Sequence, residues 1–236
     1  MSRMLNLQSP LRRNALALCA VALGSALAFA ESAPASPDLT GVYQSISADT
    51  VLTGGLKNSG SPAAVPLTSS ARDQMKSVDP KTDPGRLCLP IGPFRMMASD
   101  RVKIELAPGP GYWVMLFEDI SHGHMRVIYM KRDHPAKFEP AWVGDSVGRW
   151  DGSTLAIDST GFSDRVWLNE AGAQHSESLH LIERIRPILG GKYLEYKVTA
   201  EDPKALTKPY TYTRYFEKLN SEIMEDFCEA QLPDGN

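Results

Sequence analysis

From residue 101 onward, apolar and polar side chains alternate with a period of two, and turn residues interrupt the alternation at short intervals. Residues 102–106, 112–118 and 125–131 are the first strand candidates, with Pro108-Gly109-Pro110-Gly111 turning between the first pair. Residues 144–150 and 154–159 flank Asp151-Gly152, a favoured two-residue hairpin turn. Residues 178–186 and 192–200 flank Gly190-Gly191, and strands over 210–218 and 223–228 follow. Ahead of these, residues 38–46 read as a strand and 68–75 as a short helix capped by Ser69 or Ser70. The rest of 47–100 is rich in Gly, Pro, Ser and Asp and reads as a long excursion. Short strands joined by tight turns predict an all-β fold, an antiparallel β-barrel or a sandwich carrying this N-terminal loop. No βαβ alternation argues for a parallel sheet.

Alternation also sorts side chains by face. Leu194, Tyr196 and Val198 share an interior face. Tyr210, Tyr212, Arg214 and Phe216 share another, as do Leu179, Leu181, Glu183 and Ile185. Two apolar faces therefore carry one charge each, Glu183 and Arg214. An enclosed charge costs several kcal/mol unless it is paired or solvated. Either these residues line a cavity or they are ion-paired, with Arg214, Arg126 or Arg184 as partners for Glu183. A carboxylate among apolar side chains holds its proton more tightly than one in water, which suits proton transfer near neutral pH. Glu183 is thus the leading candidate acid or base.

The first thirty residues look like a targeting segment. Arg3, Arg12 and Arg13 precede an apolar run over 15–30 that ends in Ala28-Phe29-Ala30, a signal-peptidase pattern. The run is shorter than the roughly 20 residues of a membrane span. The expected divisions are a signal peptide over 1–30, an N-terminal strand and Pro/Gly-rich extension over 31–100, and a barrel core over 101–236 that forms one domain with 38–100. Loss of the three arginines changes 25 Lys and Arg against 28 Asp and Glu to 22 against 28, a net charge of −6. Such a chain is a poor partner for nucleic acid, and stable membrane insertion after cleavage is not expected. Cys88 and Cys228 are the cysteines left, and an exported chain with two suggests one disulfide. Localisation is read as periplasmic or secreted.

Other chemistry is thinner. His122 and His124 could place two metal ligands on one face, with His134, His175 or His180 as a third, but no carboxylate stands four residues after His124 and no H-E-x-x-H or C-x-x-C occurs. A metal site is a minor alternative, and no cofactor is expected. No G-x-S-x-G occurs, so Ser146 and Ser176 read as turn or pocket hydrogen-bonders. Trp142, Trp150 and Trp167, with Tyr129, could wall a site for a flat or apolar ligand, or simply pack. Tyr196 and Tyr212 join them as candidate contacts. Asp158, Asp164 and Asn169 stand where turns need side-chain oxygens.

Residues 86–229 resemble a family of exported bacterial proteins, mostly uncharacterised, with the pattern W-x-G-x-S-x-G-x-W-x-G, G-F-x-D-x-x-W-L and H-S-E-x-L-H-x-x-E-R. Here these are Trp142, Gly144, Ser146, Gly148, Trp150 and Gly152; Gly161, Phe162, Asp164, Trp167 and Leu168; and His175, Ser176, Glu177, Leu179, His180, Glu183 and Arg184. Asp202, Pro203, Lys208 and Pro209 continue it. Ser153, Ser163 and Asn169 stand where the family has Asp, Asn and Asp. The resemblance implies a lipocalin-like barrel and brings no activity with it. The expectation drawn from all this is an exported, cofactor-independent lyase, isomerase or hydrolase acting on a small aromatic or hydrophobic molecule, for instance by aryl-ether cleavage or elimination. Glu183 would move a proton, His175 or His124 would assist, and Arg126 or Arg214 would steady a developing anion. The alternatives are a periplasmic protein that binds such a molecule unchanged, and a His-metal enzyme.

Overall fold

The computed structural model describes residues 36–100, 102–118, 125–225 and 228. Ala35–Asn236 is one compact unit, and the signal-like segment lies outside the described residues. The strands are β1 (Gly41–Ser45), β2 (Val51–Leu52), β3 (Leu56–Lys57), β4 (Lys103–Gly109), β5 (Tyr112–Glu118), β6 (Met125–Tyr129), β7 (Asp145–Asp151), β8 (Thr154–Thr160), β9 (His180–Ile188), β10 (Tyr193–Glu201) and β11 (Tyr210–Leu219). Nine of them close into a barrel in the order β1-β11-β10-β9-β8-β7-β6-β5-β4, while β2 and β3 pair apart. The fold is therefore all-β and lipocalin-like in architecture.

The local chemistry explains the hairpins. Gly152 at φ 58 makes the β7–β8 turn, and Leu189, Gly190 and Gly191, all at positive φ, make the β9–β10 turn. One seam departs from the antiparallel expectation. β6 and β7 run parallel and share only the pairs Ile128↔Ser146 and Tyr129↔Val147. The long 130–144 connection carries the chain back to the end at which β6 began, so that β7 runs in the same direction, which a tight turn cannot do. The strand expected over 223–228 does not form at 223–225 or 228, its described residues.

The 47–100 excursion is not a free loop. It contains α1 (Ser69–Ser77), capped by Thr68 rather than Ser69 or Ser70, and the single turn α2 (Pro93–Met96). Ser59 bridges Thr213 of β11, and Leu67 bridges Leu206. The Asn58 amide donates to Ile46 O and accepts from Tyr215 N. Phe94 packs edge-on against Tyr212, with ring centroids 5.1 Å apart, and its carbonyl accepts the Tyr212 hydroxyl at 2.6 Å. Phe94, Met96 and Met97 belong to the same buried core as Leu106, Met115, Ile128, Leu181 and Phe216. The excursion thus packs against the barrel with its own apolar side chains. Cys88 is joined to Cys228, which follows β11 instead of lying in a strand.

Candidate functional site

The barrel interior holds a fully buried polar network. Alternation turns Arg126 of β6, Ser146 of β7, Ser159 of β8, Glu183 of β9 and Tyr196 of β10 inward. Arg126 Nη1 donates to Glu183 Oε1 at 2.8 Å, and Nη2 donates to Oε2, closing a bidentate pair. Both side chains are wholly excluded from solvent. Arg126 Nε donates to Ser146 Oγ at 2.9 Å, and Nη2 to Ser159 Oγ at 2.7 Å. Tyr196 donates to Glu183 Oε1 at 2.8 Å, and Ser159 Oγ donates to Oε2 at 3.2 Å. Burial alone would lower the Arg126 pKa; the Glu183 charge more than restores it, and the net direction is up. Burial, reinforced by Glu183, raises Tyr196 far above the ordinary phenol range. Of the two readings open for Glu183, the geometry is that of the ion pair, with Arg126 as partner.

Arg214 stands apart from this network. Its guanidinium donates to the carbonyls of Ser59, Gly60 and Thr213 at 2.9–3.3 Å and lies 4.9 Å from the Tyr212 ring. It ties the excursion to β11, so its charge is spread over carbonyl dipoles, and among the described residues no acid is paired with it. Among the described residues it makes no hydrogen bond to the Glu183 carboxylate. Ser176 is also structural. Its N–H and Oγ donate to Asp202 at 2.6 and 2.8 Å, in a buried carboxylate cap that also accepts Lys204 N and Ala205 N. His175 is buried, and its Nδ1 lies 2.8 Å from the Ser176 carbonyl, so Nδ1 carries the proton; Nε2 has no partner among the described residues. It lies edge-on to Phe162 and does not reach the Glu183 carboxylate by hydrogen bond. His122 and His124 lie outside the described residues.

The aromatic residues do not form one wall. Trp150 packs edge-on against Trp113. Trp142 stacks under Arg165, 4.6 Å away, and Trp167 is buried and bridges Gln174. Tyr129 is on the outer surface under Arg132, while Tyr196 and Tyr212 are in the core. Among the described residues, no group of His, Cys, Asp and Glu has metal-site geometry.

A cavity lies apart from the Arg126–Glu183 network. It measures about 620 Å³ and opens between the excursion and the 169–171 turn. Val65, Leu67, Met75 and Ile91 give it apolar walls, Ala63 and Ala171 line it too, and Arg72, Arg95 and Glu170 supply charge. Arg95 is paired end-on with Asp83 through two bonds of 2.8 Å, and its buried Nε has no acceptor among the described residues. Asn169 builds the wall, donating to Pro62 O and accepting from Ala171 N and Ala173 N. None of the residues proposed from the sequence as catalytic or substrate-binding lines this cavity. The excursion lacks periodicity, so no sequence pattern marks its side chains as neighbours. Ser159 was legible in principle, because alternation along β8 places it inward with Leu155 and Ile157.

No family model matches the chain, and no curated protein is significantly similar to it. Among solved structures, the chain is similar to a protein described as REP1-NXSQ fatty acid transporter, at 10% identity over 78% of this chain and 98% of that one, with a TM-score of 0.40. It is also similar to a mutant of the fluorescent protein UnaG, at 9% identity over 51% of this chain and 73% of that one, with a TM-score of 0.31. No helix among the described residues is long and apolar enough to cross a membrane.

Proposed function

We propose that this chain is an exported protein that binds a small, mainly apolar molecule in the cavity between its excursion and the 169–171 turn. The observation that carries the reading is the cavity itself. Its volume of about 620 Å³ suits a drug-sized molecule, and its walls join apolar side chains to a few charged ones. Two further features support it. The interior carboxylate and guanidinium satisfy each other, so the barrel lumen offers no free polar group at Glu183. The Cys88–Cys228 disulfide fits an oxidising compartment, in keeping with the signal-like first thirty residues. Membership of the exported family described above is part of the same proposal. An acid–base reaction at Glu183, the finer expectation from the sequence, would need the Arg126 pair to open.

The test is the binding of anilinonaphthalene sulfonate to the chain beginning at Glu31. Ala63 is exposed at the cavity wall, so Ala63→Trp fills space without entering the core. Probe affinity should fall by about tenfold or more, the loss of roughly 1.4 kcal/mol of contacts, with the melting temperature unchanged. Unaltered affinity in Ala63→Trp and in Ala171→Trp would place the ligand elsewhere.

A further inference from the structure

The crossover between β6 and β7 is fastened to the barrel by side chains. Met130 N donates to Gly111 O at its start, and Ala141 N donates to Gly161 O near its end, but among the described residues no main-chain hydrogen bond ties 131–140 to a strand. Pro135 and Pro140 have no N–H to give. Within 131–140, Arg132 and His134 are half-buried and the rest are exposed. Both reach the outer face of the barrel. Arg132 forms a bidentate pair with Asp145 of β7. His134 stands between two strands, with Nδ1 2.6 Å from Asp145 Oδ1 and Nε2 2.9 Å from Asp158 Oδ1 of β8. Phe138 adds an apolar contact, its ring lying on Gly161, where a side chain would collide with it.

The two His134 contacts exist together in one protonation state. The carboxylate oxygens accept and do not donate, so the ring must donate from both nitrogens, which makes it the imidazolium. A neutral ring donates from one nitrogen and turns the lone pair of the other on a carboxylate oxygen. The neighbouring strands add further charges. Arg132 shares Asp145 with the ring. His180 of β9 has Nε2 2.9 Å from the other oxygen of Asp158 and Nδ1 3.5 Å from Glu201 of β10. On the crossover itself, Lys131, Asp133, Lys137 and Glu139 are exposed. Burial lowers the His134 pKa, the hydrogen bonds and charges of Asp145 and Asp158 outweigh it, and the net direction is up. The paired contact is therefore complete below the ordinary imidazole value of about 6.5 and is lost as pH rises through the raised one. Burial would raise Asp145 and Asp158, but Arg132, His134 and His180 hold them down, so both stay ionised across this range.

We propose that residues 133–140 form a strap that closes on the outer face of β7 and β8 at low pH and opens as pH rises, with His134 as its latch and with the Arg132–Asp145 pair and Ala141 as its fixed ends. Opening lifts Phe138 from Gly161 and leaves the barrel in place, because none of the sheet's ladder bonds passes through the strap. The device is independent of what the cavity holds. The test is trypsin cleavage at Lys137–Phe138 in the chain beginning at Glu31, with the disulfide intact and the new terminus identified by mass spectrometry. The native chain and His134→Gln are compared at the same pH, so the pH dependence of the protease cancels. At about pH 6, below the ordinary imidazole value, the native strap should be cut about tenfold more slowly than that of His134→Gln, the strength of hydrogen bonds between charged groups. At about pH 9 the two rates should be equal. Asp158→Ala should speed cleavage at the lower pH as His134→Gln does. His180→Gln should leave the pH dependence in place, because His180 belongs to β9 and not to the strap. Circular dichroism should not change between the two pH values. A ratio of native to His134→Gln cleavage that is the same at both overturns the proposal. So does a transition that vanishes in His180→Gln, or one that coincides with loss of the β signal, since the whole barrel would then be opening.

Discussion

Replacing Glu183 by glutamine should destabilise the fold strongly, and the size of the loss can be worked from the network. The substitution keeps the volume and removes the charge, leaving the Arg126 guanidinium wholly buried with no counter-ion. One of the two carboxylate oxygens that accept from Arg126 would become an amide N–H₂, a donor facing a donor. Ser159 or Tyr196 would lose an acceptor as well. Breaking one side of a buried pair costs about 3–5 kcal/mol. In a domain of this size, 1 kcal/mol moves the melting temperature by about 2–4 °C, so the shift should be roughly 10 °C. The assay is urea unfolding followed by circular dichroism with the disulfide intact. Arg126→Met, added to Glu183→Gln, should recover much of the loss, because the charge is then gone and only hydroxyl partners at Ser146 and Ser159 are missing. The double-mutant cycle should give a coupling of at least about 2 kcal/mol. If Glu183→Gln costs less than about 0.5 kcal/mol, or stabilises the protein as replacing a strained functional carboxylate does, the structural reading of this pair is wrong.

Two further outcomes concern the surface and the crosslink. His134 has Nδ1 2.6 Å from Asp145 and Nε2 2.9 Å from Asp158, so only the doubly protonated ring donates to both; burial lowers its pKa, the two carboxylates outweigh it, and the net direction is up. Its contribution should be complete below about pH 6.5, the ordinary imidazole value, and lost as pH rises through the raised one, so the melting difference between the native chain and His134→Gln should be present at about pH 6 and gone at about pH 9; a difference that grows with pH would contradict this. The partners Asp145 and Asp158 are shifted the other way: burial raises them, their hydrogen bonds to Arg132, His134 and His180 prevail, and their contribution disappears only as pH falls through the lowered values. Reduction of the Cys88–Cys228 bond, which closes a separation of 140 residues, should lower stability by up to about 5 kcal/mol on the chain-entropy argument; equal urea midpoints with and without reductant would show that the bond does not constrain the unfolded chain.

The barrel was legible in the sequence wherever local chemistry decides the matter. Asp151-Gly152 and Gly190-Gly191 fix two hairpins by turn geometry alone, and alternation along β9, β10 and β11 identifies the inward residues, Glu183 and Arg214 included. What alternation cannot supply is which inward residues meet across the lumen. Arg126 reaches Glu183 because the barrel closes, a relation between strands 57 residues apart. Arg214 shares the inward face yet meets the carbonyls of the excursion, whose path no periodic pattern encodes. The same gap hid the cavity, because its walls come from Pro- and Gly-rich segments between 61 and 99 that are brought together by bridges to 206 and 213. The parallel β6–β7 seam was missed because nothing in the 130–144 connection distinguishes a crossover from a wide loop.

The most direct test of the central claim is a crystal structure of the chain beginning at Glu31 with anilinonaphthalene sulfonate bound. The probe should lie among Val65, Leu67, Met75 and Ile91 against the 169–171 turn, with the Arg126–Glu183 pair undisturbed. Density for the probe inside the barrel beside Glu183, with the Arg126 side chain displaced, would contradict the account and return the acid–base reading to the lumen.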